Sequence, residues 1–185
     1  MSLPVVGETA QRGIAWLDPK TDEVVLILGG SGVVGSIAVQ LAVARGATVI
    51  ATAGEANQEF VASLGATPVV YGDGMVDRVR DVTEQVDAVL DAAGMGGLEG
   101  AVILRGGTDR VVTVADPTAM EMGIHFDPGD PKGHNVDALR KLADAALSGA
   151  LRVRAAASFP LAEAAKAQEL SATNHAGGKI TLDVG

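Results

Sequence analysis

The sequence contains no cysteine. That excludes disulfides, thiolate chemistry and a cysteine-ligated zinc from these residues, and it fits a cytoplasmic protein. Positive charge is also short: 14 Lys and Arg stand against 23 Asp and Glu, for a net charge of −9. A general nucleic-acid-binding surface is therefore not expected. No run approaches the roughly 20 apolar residues that span a bilayer, so no membrane partner is expected. The opening "MSLPVVGETA" lacks the basic start and long apolar run of a signal peptide. Histidine is limited to His125, His134 and His175, at no recognisable ligand spacing. They read as surface or loop residues, and no metal site is expected.

What the chain does have is apolar residues in short blocks. It is 48% hydrophobic over 185 residues, enough for one compact domain with its own core. Thr9 to Leu17 reads as a short helix and "DPKTDE" (18–23) as a polar turn. Val24 to Leu28 is short and uniformly apolar, which fits a buried parallel strand. Ser36 to Arg45 is predicted helical, with Gly46 as its C-cap, and Thr48 to Thr52 is the second strand. The alternation continues with a helix at Asn57 to Leu64, a strand at Pro68 to Tyr71, and a helix at Met75 to Thr83 with Met75, Val79 and Val82 on one face. A strand at Asp87 to Asp91, a helix at Gly97 to Leu104 and a strand at Val111 to Ala115 follow. Gly123 to Phe126 is the sixth strand candidate. Such alternation predicts an α/β class: a three-layer, doubly wound Rossmann fold on a mostly parallel, six-stranded sheet.

The "DPGDPKGHN" stretch (127–135) reads as a flexible loop. Val136 to Leu147 is amphipathic, with Val136, Leu139, Leu142, Ala143, Ala146 and Leu147 on one face and Asn135 as N-cap. Leu151 to Ala155, a helix at Leu161 to Leu170 and a strand at Lys179 to Val184 complete the chain. Trp16 and Phe60 are expected to pack helices onto the sheet.

Gly30, Gly32 and Gly35 form G-x-G-x-x-G between the first strand and its helix, "LGGSGVVG". That context predicts a dinucleotide site. Gly30 is assigned the tight turn, Gly32 the close approach of backbone to a pyrophosphate, and Gly35 the packing of helix on sheet. Ser31 lies in the same loop, and Val33 and Val34 flank the phosphates through backbone groups. No G-K-[ST] follows, so a Walker-type triphosphatase is disfavoured. A methyltransferase is the remote alternative, because it shares a glycine-rich first turn. The lone tyrosine, Tyr71, is followed by "GDG", so the Y-x-x-x-K pair of short-chain dehydrogenases is absent. There is no G-x-S-x-G element of esterases either.

Six segments in order resemble one family. They are "LPVVGETAQRGI" (3–14), "VVLILGGSGVVGSIAVQLAVARGATVIATAG" (24–54), "ASLGATPVV" (62–70), "VDAVLDAAG" (86–94), "LRGGTDRVVTV" (104–114) and "FPLAEAAKAQEL…GGKITLDV" (159–184). Together they resemble the zinc-independent, quinone-oxidoreductase-like branch of the medium-chain dehydrogenases/reductases. The resemblance implies an NAD(P)-binding Rossmann domain over 1–150 and a C-terminal segment, 151–185, that relatives pack toward their catalytic domain. It also implies that an N-terminal substrate-binding domain is missing, as in an excised or truncated chain. Where zinc-dependent relatives carry a ligand cysteine, this chain has Val5. Relatives often pair edge to edge through the cofactor domain, and residues 122–126 would be the matching place for a homodimer.

The end of the second strand should decide between NAD(H) and NADP(H). Thr52, Ala53 and Gly54 lead into Glu55 and Gln58, where NADPH-preferring relatives carry "TAGSxxK" with serine and lysine. A carboxylate repels a 2′-phosphate, and glutamine supplies no charge. A tyrosine expected after the third strand falls on Gly72, with Tyr71 one place early, and an "RGK" arginine falls on Gly177, although Lys179 remains. Charge favours NADH and family habit favours NADPH, unless Arg45, Lys179 or another cation reaches the phosphate. Both cofactors stay open at this point. Ala92, Ala93 and Gly94 are expected to leave room for the nicotinamide-side ribose, and Val114 and Ala115 to line the nicotinamide. Asp91 is read as a ribose contact or a turn cap, not as a catalytic acid, and no catalytic residue is assigned. The parent reaction implied is hydride transfer to a quinone, enone or similar conjugated carbonyl. A stand-alone, non-catalytic cofactor-binding or sensing module is the alternative.

Overall fold

A computed structural model describes residues 3–129, 135–173 and 176–185. His134, His175 and most of the 127–135 loop's centre therefore lie outside the described residues. Strands β1 (Val24–Leu28), β2 (Thr48–Ala53), β3 (Thr67–Val70), β4 (Ala88–Asp91), β5 (Val111–Thr113) and β6 (His125–Phe126) form one sheet. Its order is β3-β2-β1-β4-β5-β6, and every pairing is parallel. This is a doubly wound Rossmann sheet, whose strand order reverses between β1 and β4.

Strand side chains alternate between two buried layers. Val25 and Ile27 face the layer of α1 (Leu3–Leu17), α2 (Val33–Val43), α3 (Gln58–Ala62) and α6 (Val136–Leu147). Leu26 and Leu28 face the layer of α4 (Met75–Arg80) and α5 (Leu98–Arg105). Burial on both faces explains why β1 reads as a continuous apolar run rather than an alternating one. A second, two-stranded parallel sheet pairs β7 (Ala155–Pro160) with β8 (Lys179–Asp183), with α7 (Ala164–Ala172) between them.

Several boundaries differ from the sequence reading. Helix α1 starts six residues before Thr9, because Pro4 is tolerated in a first turn and Leu3, Val6, Ala10 and Ile14 supply a buried stripe. Helix α2 starts at Val33 rather than Ser36. The sixth strand shrinks to two residues, because Pro117–Met122 coil into a 3₁₀ segment that ends at Gly123 in the left-handed region. Helix α4 stops at Arg80, which leaves Val82 exposed rather than on its apolar face. Strand β5 ends at Thr113, so Val114 and Ala115 are turn residues, and β7 starts where the 151–155 segment ends.

In α6, Asn135 caps as expected, its side chain accepting from the Ala138 N–H at 3.0 Å. Leu142 is buried, but Val136 and Leu147 lie at the helix ends and are exposed. Trp16 does not pack onto the sheet: it is 44% exposed and stacks on His125, ring centroids 4.6 Å apart. Phe60 does pack against the core.

The amino edge of the sheet is held by charge. Arg110 donates to both carboxylate oxygens of Glu23, at 2.6 and 2.8 Å, and to the Leu17 carbonyl at 3.0 Å. Glu23 also accepts from the Lys20 N–H at 2.8 Å. This ties the end of α1, the following turn and the start of β5. The Arg110 guanidinium and that N–H pull the Glu23 carboxyl down to about 2. A depressed carboxylate stabilises the fold above its unfolded pKa and loses that contribution as pH falls through its folded value. The pair is partly solvated, so the contribution is about 1 kcal/mol rather than the full electrostatic value. Glu23→Gln should therefore lower stability by about 1 kcal/mol at pH 7. In denaturant titrations the gap between wild type and variant should close between about pH 4.5 and about pH 2.

Candidate functional site

The carboxyl ends of β1, β2, β4 and β5 converge at the reversal of strand order. The turn after β1 carries the chemistry. Gly29, not Gly30, takes the left-handed conformation, at φ +81°. Gly30 is required for a different reason: a Cβ there would stand 2.6 Å from the Ala51 Cβ of β2. At Gly35 a Cβ would stand 2.1 Å from the Gly29 carbonyl oxygen, so only glycine lets α2 rest on the turn. At Gly32 a Cβ would meet only the Gly29 oxygen, at 3.3 Å. Gly32 is exposed, and apart from that oxygen the space where a Cβ would stand is open.

Strand β2 holds the turn from below. The Thr52 hydroxyl accepts from the Gly29 N–H at 2.9 Å, and its carbonyl accepts from the Gly30 N–H at 2.8 Å. Thr52 is buried and supports the turn, whereas Ser31 and Gly32 reach the surface. Gly32 N-caps α2 without a side chain, and the first intrahelical-type bond runs from the Ser36 N–H to the Gly32 carbonyl. The N–H groups of Val33, Val34 and Gly35 precede that bond and point out of the helix end, together with its partial positive charge.

The other side of the trough is made of small residues. A Cβ on Gly29 would lie 3.0 Å from the Ala93 Cβ, and one on Gly94 would lie 3.0 Å from the Ala115 Cβ. The turns after β1, β4 and β5 thus touch one another. Asp91 sets this wall. It is 1% exposed, and its Oδ1 accepts from the Ala93 and Gly94 N–H groups at 2.9 and 3.1 Å. Its Oδ2 accepts from the Thr113 hydroxyl at 2.7 Å. Thr113 in turn accepts from the Ala115 and Asp116 N–H groups at 3.1 and 3.0 Å. Asp91 is a turn cap. Ala92, Ala93 and Val114 are half-buried, and Ala115 is exposed.

The residues expected to meet an adenosine ribose follow β2. Ala53 is buried, Gly54 half-buried and Glu55 exposed. The Gln58 amide folds back and donates to the Ala53 and Gly54 carbonyls at 2.8 and 3.3 Å. The Tyr71 ring stands against Gly54, with Cε1 and the hydroxyl 3.5 Å from where a Cβ would be. Being one position early does not remove Tyr71 from this end. Arg45 is removed: it follows the C-terminus of α2, at the opposite edge of the sheet, and donates to the Leu41 carbonyl. Lys179 opens β8, its N–H donating to the Arg154 carbonyl at 2.9 Å.

Sequence reasoning missed Arg154, which reaches this end from the C-terminal segment. Its Nη1 donates to the Asn57 side-chain oxygen at 2.8 Å, and its guanidinium lies 4.6 Å from the Phe60 ring centroid. It also missed Gln40, which pairs with the backbone of Arg152 like a strand, accepting at 2.7 Å and donating at 2.9 Å.

A family profile described as zinc-binding dehydrogenase matches residues 33–137. The NADPH-dependent alkenal/one oxidoreductase of Arabidopsis thaliana chloroplasts is 33% identical over 184 residues, covering 97% of this chain and 45% of that protein. The 2-methylene-furan-3-one reductase of Solanum lycopersicum is 34% identical over 116 residues, covering 62% of this chain and 29% of that protein. The solved quinone oxidoreductase of Coxiella burnetii superposes with a TM-score of 0.82 at 32% identity, over 100% of this chain and 60% of its own. The chain thus spans about half the length of such relatives. Zinc in the family description has no counterpart in a donor set here: the chain has no cysteine, and among the described residues no cluster of three or more His, Asp or Glu could hold a metal. The chain belongs to the zinc-binding dehydrogenase family, as a Rossmann cofactor-binding domain of its zinc-independent, quinone-oxidoreductase-like kind.

Proposed function

We propose that this chain is the NAD(P)(H)-binding part of an oxidoreductase that transfers hydride to a quinone, an enone or a similar conjugated carbonyl. The observation that carries the reading is the Gly29–Gly35 turn. It leaves a surface space that a Cβ would invade and aims three helix N–H groups at it. The named activities of the Arabidopsis, tomato and Coxiella relatives supply the substrate class.

The cofactor would supply the redox chemistry through C4 of its nicotinamide. The chain's own residues position it. Gly32, Val33, Val34 and Gly35 hold the pyrophosphate through backbone N–H groups. Thr52 fixes the turn that presents them. Ala92, Ala93 and Gly94 leave room for the second ribose, and Val114 and Ala115 form the wall at the nicotinamide end. Asp91 and Thr113 keep that wall in place without touching the reacting atoms.

The acceptor pocket is assigned to the cleft between this domain and a substrate-binding domain. The surface hollows found here lie elsewhere. One, of about 320 Å³, is lined by Ser158, Phe159, Pro160, Asp183 and Gly185 in the small sheet. Another, of about 290 Å³, opens at the C-terminal ends of α2 and α3, far from the glycine turn. The division into a cofactor domain, 1–150, and a docking segment, 151–185, belongs to the same proposal. So do a cytoplasmic location and a homodimer through the free edge of β6. That edge carries only two strand residues beside exposed Met120 and Met122.

Fluorescence titration should give a dissociation constant for a reduced nicotinamide cofactor of about 1 µM to 1 mM. Gly35→Ala should abolish that binding, because the methyl group cannot fit 2.1 Å from a carbonyl oxygen. A Gly35→Ala protein that stays folded and binds normally would contradict the site. The 185-residue chain alone should bind cofactor yet reduce 1,4-benzoquinone or an alkenone no faster than background. Robust turnover would contradict the shared-cleft assignment.

A further inference from the structure

At the end of β2 and β3 two cations are held by neutral groups: Arg78, which donates to the backbone carbonyls of its own Val70–Asp73 turn, and Arg154. Arg154 leaves the C-terminal segment at the start of β7 and crosses to the turn after β2. Asn57 accepts from its Nη1 at 2.8 Å, and the Phe60 ring supports its flat face at 4.6 Å. Asn57 belongs to the same tight turn as Gly54, since its N–H donates to the Gly54 carbonyl at 2.9 Å. Among the described residues no carboxylate pairs with Arg154.

Gly177 lies beside this arrangement. A Cβ there would lie 3.5 Å from the Arg154 Nη2, and φ is +69°.

A pinned guanidinium without a carboxylate is ready for a doubly charged oxyanion. In a Rossmann fold the turn after β2 meets the adenosine ribose, and an arginine nearby accommodates a 2′-phosphate. The Tyr71 ring also stands beside Gly54, 3.5 Å from where a Cβ there would be. Glu55 opposes a phosphate, but it is exposed, where water and salt screen it. Arg154 is half-buried and held by Asn57 and the Phe60 ring, so its charge is screened less.

We propose that Arg154 is the residue that receives the 2′-phosphate and makes this chain select NADPH over NADH. The proposal rests on the cofactor-binding reading above and adds the choice between the two cofactors. The N–H of Lys179 donates to the Arg154 carbonyl, which anchors the strand that carries the guanidinium.

The test is isothermal titration of the wild-type chain, Arg154→Gln and Arg154→Lys with NADPH, NADH, 2′,5′-ADP and 5′-ADP. Circular dichroism melts serve as the check on folding. Wild type should bind NADPH at least tenfold tighter than NADH. Arg154→Gln should lose about tenfold or more for NADPH and 2′,5′-ADP, and less than about twofold for NADH and 5′-ADP. Arg154→Lys should fall between, because it keeps the charge but loses the fork. Equal weakening for all four ligands, or unchanged NADPH binding, overturns the role of Arg154 and leaves the cofactor-binding reading standing. A wild-type chain that binds none of the four overturns both.

Discussion

The structure hangs on one close approach. The backbone of Gly35 passes so near the Gly29 carbonyl that a Cβ would stand 2.1 Å from its oxygen and 3.1 Å from the Gly30 Cα. That contact seats the first turn of α2 directly on the end of β1. It leaves the helix end open, with backbone donors facing the space above Gly32. It also determines what must lie around it. Ala51 has to be small because Gly30 rests on it, and Thr52 has to be polar because its hydroxyl accepts from the Gly29 N–H. Ala93 has to be small because Gly29 passes within van der Waals contact of it.

The two edges of the sheet divide the work. The amino edge is fastened by charge, through Glu23 and Arg110, and by the Asp87 carboxylate accepting from the Val24 N–H at 2.8 Å. The carboxyl edge is fastened by neutral donors and one buried carboxylate, Asp91, whose oxygens are all spent on turns and on Thr113. The consequence is functional. A pyrophosphate would meet backbone donors and a helix end there, and Asp91 is occupied by its own hydrogen bonds. The C-terminal segment reaches the turn after β2 from outside the sheet, through the bond of Arg154 to Asn57, while Gln40 clasps the backbone of Arg152 onto α2.

Most of this fold is legible in the sequence because its signals are local. Val24–Leu28 is a short apolar run bounded by "DPKTDE" and the glycines, and the strand occupies those residues. The span Val136–Leu147 and its Asn135 cap also fall where the pattern places them. Signals mislead where local and tertiary demands part. Pro4 and Gly7 hide the start of α1, since the helix is secured by burial of Leu3 and by contact of Gly7 with Leu142. Trp16 looks like core, but His125 offers it a stacking partner at the surface. The tight-turn role moves from Gly30 to Gly29, because spacing cannot say which glycine takes positive φ. Arg154 is illegible for the plainest reason: its partner Asn57 lies 97 residues away, and no motif spans that distance.

The central claim is that the Gly29–Gly35 turn holds a nicotinamide dinucleotide. At 18.6 kDa, the chain suits amide-resolved NMR. Titration with NADPH should move the amide resonances of Gly32, Val33, Val34 and Gly35 most, with smaller shifts at Gly54, Ala93 and Gly94. Saturable shifts confined to the Ser158–Pro160 hollow, or no shifts at millimolar cofactor, would contradict the account.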